Sequence, residues 1–76
     1  MNVKNIIKRD LSVKNKYGQD IQKKFTVKVL SGPFKDKVVS VEHIYDDYVF
    51  VKDKNYYKNE GIIVTKADNC YVLDAK

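Results

Sequence analysis

The sequence predicts an all-β fold, a small barrel of five short strands, and three observations carry that prediction. Valine, isoleucine, tyrosine, phenylalanine and threonine dominate the chain, the residues that fit a pleated, half-buried surface. Apolar and polar residues alternate with a period of two where strands are expected. Gly, Pro and paired Asp then interrupt these runs, as turn residues do. Antiparallel strands this short bury enough apolar surface only by curling on themselves, which also removes exposed edges.

The elements follow in order. Met1 to Arg9 carries Val3, Ile6 and Ile7 among Lys and Asn, and reads either as a short helical turn or as the last strand of a neighbouring domain. Asp10 to Lys14 and Gln19 to Gln22 flank Asn15-Lys16-Tyr17-Gly18, a pattern open to a hairpin or to an extended arm packed on the main body. In Lys24 to Val29, Phe25, Val27 and Val29 share one face and Lys24, Thr26 and Lys28 the other, a half-buried strand with a basic outer face. Ser31-Gly32-Pro33-Phe34 ends it. Lys37 to Tyr45 forms the second strand, closed by a tight turn at Asp46-Asp47, and Tyr48 to Lys52 forms the third. Asp53 to Glu60 is a longer polar loop before Gly61. Ile62 to Thr65 and Cys70 to Leu73 complete the set. The expected inward residues are Phe25, Val27, Val29, Val41, Ile44, Phe50, Val64 and Val72, with Val49, Val51 or Ile62 partly inside.

With 76 residues the chain holds one domain, divided into a linker or N-terminal arm over 1–22 and the barrel over 23–74. The charge is uneven. Residues 1–37 hold ten basic and three acidic groups, net +7, and residues 38–76 hold five and seven, net −2. A polyanion is therefore a candidate partner, although a solvated, lysine-rich surface has the same composition. The single cysteine, Cys70, excludes an internal disulfide and a Cys-cluster metal site. No apolar run approaches the roughly 20 residues of a membrane span, and Met1-Asn2-Val3-Lys4 does not open a signal peptide. A reducing, soluble, intracellular setting is the expectation.

Catalysis finds no support. Ser12, Ser31 and Ser40 have only His43 as a base, with no nucleophile-elbow or phosphate-loop glycine pattern. His43 lacks a Cys or His partner at ligand spacing, and Asp46-Asp47 lacks the further carboxylates of a calcium site. No catalytic residue, metal or cofactor is expected.

The most informative stretch runs from Val27 to Val41: an apolar-basic-apolar strand, the turn Gly32-Pro33-Phe34-Lys35, and a second strand with a hydrophobic pair, closed by Ile44. It resembles the KOW motif of SH3-like barrels, found in NusG-type elongation factors and some ribosomal proteins. Beyond it, the order His43-Ile44-Tyr45, Tyr48 to Val51, Lys58 to Val64 and Cys70 to Leu73 is similar to the fourth KOW region of the eukaryotic NusG counterpart, the large subunit of the elongation factor DSIF. The likeness covers about residues 8–73, with Lys8-Arg9-Asp10 and Asp20-Ile21 matching the linker that enters that domain. Two positions depart from the motif: glycines common after the turn and before the hydrophobic pair are Asp36 and Val39 here.

The resemblance implies a five-stranded SH3-like barrel that rides on RNA polymerase II in the nucleus, with nascent RNA as a candidate partner. It also implies a small zinc-binding DSIF subunit held by other parts of the full protein. Alternatives are a ribosomal-type RNA-binding KOW protein, and a Tudor-like module with a cage built from Tyr45, Tyr48, Tyr56 and Tyr57. The expected contact residues are Lys23, Lys24, Lys28, Phe34, Lys35 and Lys37, with Gly32 and Pro33 shaping the turn that projects them. Each lysine is equally readable as solvated, and Phe34 as a cap on the barrel end. Cys70 reads as a small core residue.

Overall fold

A computed structural model describes residues 11–55 and 58–75. The alternatives for Met1 to Arg9 lie outside the described residues. Among the described residues there are seven strands: β1 (Ser12–Lys14), β2 (Asp20–Gln22), β3 (Thr26–Val29), β4 (Val38–Tyr45), β5 (Tyr48–Lys52), β6 (Ile62–Lys66) and β7 (Cys70–Asp74). β1 and β2 pair as a hairpin, and the others form one antiparallel sheet in the order β6-β5-β4-β3-β7. A four-strand meander, β3 to β6, with a fifth strand, β7, returning beside the first is the SH3-like arrangement. Short 3-10 turns, Lys58–Gly61 and Ala67–Asn69, lead into β6 and join β6 to β7. Among the described residues no helix is long and apolar enough to cross a membrane.

The hairpin alternative upstream is the one realised. Asn15 closes the loop from within: its Oδ1 accepts from the backbone N–H groups of Tyr17 and Gln19, each at 3.0 Å. That is how a side-chain amide stands in for a turn. The hairpin is also packed into the barrel, because Ile21 is fully buried in the same cluster as Val27, Val29, Val39, Val41, Ile44, Val49, Val51, Ile63, Ala67 and Cys70. Phe25, Phe34, Val13 and Val72 pack against this cluster, half-buried.

The inward face differs from expectation in β5 and β6. Phe50 is half-buried and Val64 is 51% exposed, whereas Val49, Val51 and Ile63 point inward. A bulge in β4 is the cause. Val41 pairs with Val51 and Ile44 with Val49, so β4 spends three residues where β5 spends two. The bulge lets Val41 and Ile44 both face the core despite their opposite parity. Val51 then sits opposite Ile63 and Phe50 opposite Val64, which puts Ile63 inside and Val64 outside.

Lys24 is a second correction. Strand β3 begins only at Thr26, since Lys24 has φ +76 and is a central residue of a turn closed by Phe25 N–H to Gln22 C=O at 3.1 Å. It therefore does not share a pleat with Lys28. Cys70 is fully buried as expected, and desolvation pushes its thiol up from 9.0 to about 11.

Candidate functional site

The Gly-Pro bend joins β3 to β4 as two overlapping β-turns. Lys35 N–H donates to Gly32 C=O at 3.2 Å, which places Pro33 at the second position of the first turn, where its fixed φ suits the geometry. Lys37 N–H donates to Phe34 C=O at 3.1 Å, which places Asp36 third in the second turn. Gly32 has φ +91 with open space around its Cβ position, so backbone conformation and not crowding calls for glycine there. Asp36 has φ +71 and thus adopts, with a side chain, the left-handed shape that its glycine counterpart reaches freely.

The base of the bend is fixed by bonds from both flanks. Val29 and Lys37 bond at 2.9 Å, and Asp36 N–H donates to Val29 C=O at 2.7 Å. Ser31 Oγ donates to Asn69 Oδ1 at 2.6 Å, and Asn69 Nδ2 donates to Ser31 C=O at 3.1 Å. Thr65 Oγ1 accepts a further bond from Asn69 Nδ2 at 2.9 Å. The sequence reading missed Asn69. Its only signal there is an Asn just ahead of the last strand, a common turn position.

The six expected contact residues do not form one cluster. Lys23 and Lys24 occupy the turn before β3, whereas Phe34, Lys35 and Lys37 lie beyond its other end, separated by a strand of roughly 13 Å. Phe34 is half-buried and packs on the core, so its ring finishes one end of the barrel. Lys28 Nζ lies 3.6 Å from Asp36 Oδ1. Asp36 thus faces Lys28, not only the lysines beside it in sequence. Lys37 Nζ lies 3.7 Å from Asp53 Oδ2, a carboxylate only 6% exposed whose Oδ2 has no hydrogen-bond partner among the described residues. Lys23, Lys24 and Lys35 are exposed and make no ion pair among the described residues. Val39, at the second departed glycine, is buried in the core.

Other candidates resolve as follows. Tyr56 and Tyr57 lie outside the described residues, so the four-tyrosine cage is not on view. Tyr45 and Tyr48 face each other across a two-residue turn without ring contact, and Lys66 Nζ stands 5.4 Å from the Tyr48 centroid. His43 is exposed, and no group of three His, Cys, Asp or Glu able to hold a metal occurs among the described residues.

A second feature missed in sequence is a pair of amides on β7. Gln19 Oε1 accepts from Val72 N–H at 2.9 Å while its Nε2 donates to Val72 C=O at 3.2 Å. Asn15 Nδ2 donates to Gln19 Oε1 at 2.9 Å and to Cys70 C=O at 2.7 Å. Together they satisfy the outer edge of β7 as a neighbouring strand would. Nothing in the spacing of Asn15 and Gln19 names a partner more than fifty positions away.

The comparisons agree with this fold. The family model for the fourth KOW domain of transcription elongation factor SPT5 matches residues 15–67, from the hairpin loop to the 3-10 turn before β7. Over 67 residues the chain is 31% identical to transcription elongation factor SPT5 homolog 1 of Arabidopsis thaliana, covering 88% of this chain and 6% of that protein. Over 68 residues it is 29% identical to SPT5 homolog 2 of the same plant, covering 90% of this chain and 7% of that protein. The chain thus spans only a small part of the length of the relatives it matches. With an SH3-like strand order, a Gly-Pro bend between β3 and β4 and this match, the chain belongs to the SPT5 family as a fourth KOW domain.

Proposed function

We propose that this barrel is a non-catalytic module of a transcription elongation factor that docks on RNA polymerase II in the nucleus, beside nascent RNA. The family match over residues 15–67 carries the reading, and it favours the elongation factor over a ribosomal protein. On this proposal the small zinc-binding subunit is held by other parts of the full protein. Residues 1–22 lead into the barrel, and the hairpin within them is docked on it.

The contact is made by side chains that have no ion pair among the described residues. Lys35 stands at the tip of a bend braced by Asn69 and the Val29–Lys37 pair, so its position is set before any partner arrives. Lys23 and Lys24 supply a second positive point at the far end of β3. Lys28 and Lys37 contribute less, since each already faces a carboxylate.

The test is retention of purified RNA polymerase II on the immobilised chain. The Lys35→Glu variant is expected to weaken retention by about tenfold, the scale of reversing one interfacial charge. Lys23→Glu with Lys24→Glu should give a smaller loss. Unchanged retention in both variants overturns the docking surface.

A further inference from the structure

A cleft of about 470 Å³ opens on the outer face where β3, β4 and the end of β5 meet. Register aligns Thr26, Ser40 and Lys52 in one row across these strands, and all three line it. Glu42 lines it too, as the extra residue of the β4 bulge between Val41 and His43. Bulges re-aim side chains, and here a half-buried carboxylate results. Asp53, directly after β5, adds a second carboxylate.

The turn that Asp53 starts uses only half of its carboxylate. Oδ1 accepts from Asn55 N–H at 3.0 Å, while the Asp53 N–H donates to Gly61 C=O at 2.9 Å. Oδ2 belongs to a side chain that is 6% exposed and has no hydrogen-bond partner among the described residues. The Lys37 ammonium stands 3.7 Å away, too far for a hydrogen bond, on a side chain that is itself half-exposed. A buried carboxylate oxygen without a donor carries a desolvation cost that the turn does not require. A donor from outside would remove it.

The walls of the cleft decide which donor fits. The carboxylates of Asp53 and Glu42 call for a cation, and the hydroxyls of Thr26 and Ser40 can accept further N–H bonds. No aromatic ring is among the described residues that line it, so it lacks the cage that suits methylated cations. A guanidinium suits it better than an ammonium. Its weaker hydration lowers the cost of meeting a buried carboxylate, and its planar fork spans two acceptors. The exposed side chain of Val38 offers apolar surface to an aliphatic stem. Lys52 and Lys54 stand exposed beside the acids, neither in an ion pair among the described residues. They disfavour a bare cation and match carboxylates next to it.

We propose that this cleft receives an arginine side chain of a partner protein, from a segment in which acidic residues flank the arginine. The guanidinium displaces the Lys37 ammonium, donates to Asp53 Oδ2 and faces Glu42, while the flanking carboxylates meet Lys52 and Lys54. Lys37 is thus the resident competitor for the site. None of Lys23, Lys24 and Lys35 lines the cleft, so the inference does not rest on the polymerase reading.

The test titrates the whole chain with the peptide acetyl-Glu-Arg-Glu-amide, followed by amide NMR shifts. The shifts should concentrate at Ser40, Glu42, Asp53 and Asn55. Citrulline in place of the peptide's arginine, similar in shape but uncharged, should weaken binding about tenfold, the scale of one hydrogen bond to a charged group. Lysine there should weaken it as well, since an ammonium cannot fork between two acceptors. Asp53→Asn keeps an acceptor for Asn55 N–H and should also cost about tenfold. Lys37→Gln should tighten binding about two- to fivefold, the scale of one exposed ion pair released. Misfolding does not produce such a gain, so this variant decides the matter if Asp53→Asn unfolds. Shifts confined to Lys52 and Lys54 mean that only the peptide's carboxylates bind, and overturn the proposal. So do the absence of any shift, an arginine peptide bound no better than the citrulline or lysine peptide, and an unchanged affinity in Asp53→Asn or in Lys37→Gln.

Discussion

Replacing Ile21 by Ala asks whether the β1–β2 hairpin is part of the barrel or an arm resting on it. Ile21 is 0% exposed and lies in the cluster that includes Val27, Val41 and Val51. Truncating a fully buried Ile to Ala costs about 2–5 kcal/mol through lost transfer energy and the cavity left behind. A domain of this length has a total stability of roughly 4–11 kcal/mol, so the loss is a large fraction of the whole. In urea, with a slope of about 1 kcal/mol/M for so small a chain, the midpoint should fall by about 2 M or more. Ile21→Val, which removes one methyl group, should cost about 0.5–1.5 kcal/mol and serves as the graded control. Equilibrium urea unfolding followed by far-UV circular dichroism measures both. A loss in Ile21→Ala below about 0.5 kcal/mol, the scale of surface substitutions, would show that the hairpin adds nothing to the core and refute the reasoning.

Three further predictions concern the edge, the bend and the thiol. Gln19→Ala removes both side-chain bonds to Val72, so the Val72 amide should exchange with deuterium about fivefold faster while the amides of β5 keep their rates. Because Asp36 has φ +71, Asp36→Gly should be more stable than Asp36→Val by about 1–2 kcal/mol; equal thermal midpoints would rule out the left-handed conformation. Burial raises the folded Cys70 thiol from 9.0 to about 11, so the folded state keeps a proton that the unfolded chain sheds above pH 9. Stability should therefore fall as pH rises from about 9 to 11, by up to about 3 kcal/mol, and urea midpoints should show Cys70→Ala losing less over that window.

Much of the fold is legible in the sequence, for identifiable reasons. The alternation of Val27 and Val29 against Thr26 and Lys28 survives in β3, with Phe25 half-buried just ahead of it, and the Gly32-Pro33 bend and the Asp46-Asp47 turn stand where turn chemistry puts them. The face of β5 was not legible. Val49-Phe50-Val51 is apolar at every position, and the inward pair is chosen by β4, whose bulge between Val41 and His43 leaves no mark in residue type. Ile63 and Val64 then exchange roles because β6 takes its register from β5. The start of β3 was misplaced at Lys24, since a positive φ at a lysine has no sequence signature.

For the site, the sequence identifies the cations but not their partners. Lys28 and Lys37 read as free until Asp36 and Asp53 are seen beside them, and Asp53 lies sixteen positions from Lys37. Asn15, Gln19 and Asn69 read as ordinary loop amides. Their roles depend on Val72, Cys70 and Ser31, which only the closed barrel brings within bonding distance.

Lysine acetylation of the chain, free and bound to RNA polymerase II, is the most direct probe of the docking account. It predicts that Lys35 reacts rapidly in the free chain and is protected in the complex. Lys35 reacting at its free rate in a complex shown to be fully formed would contradict it.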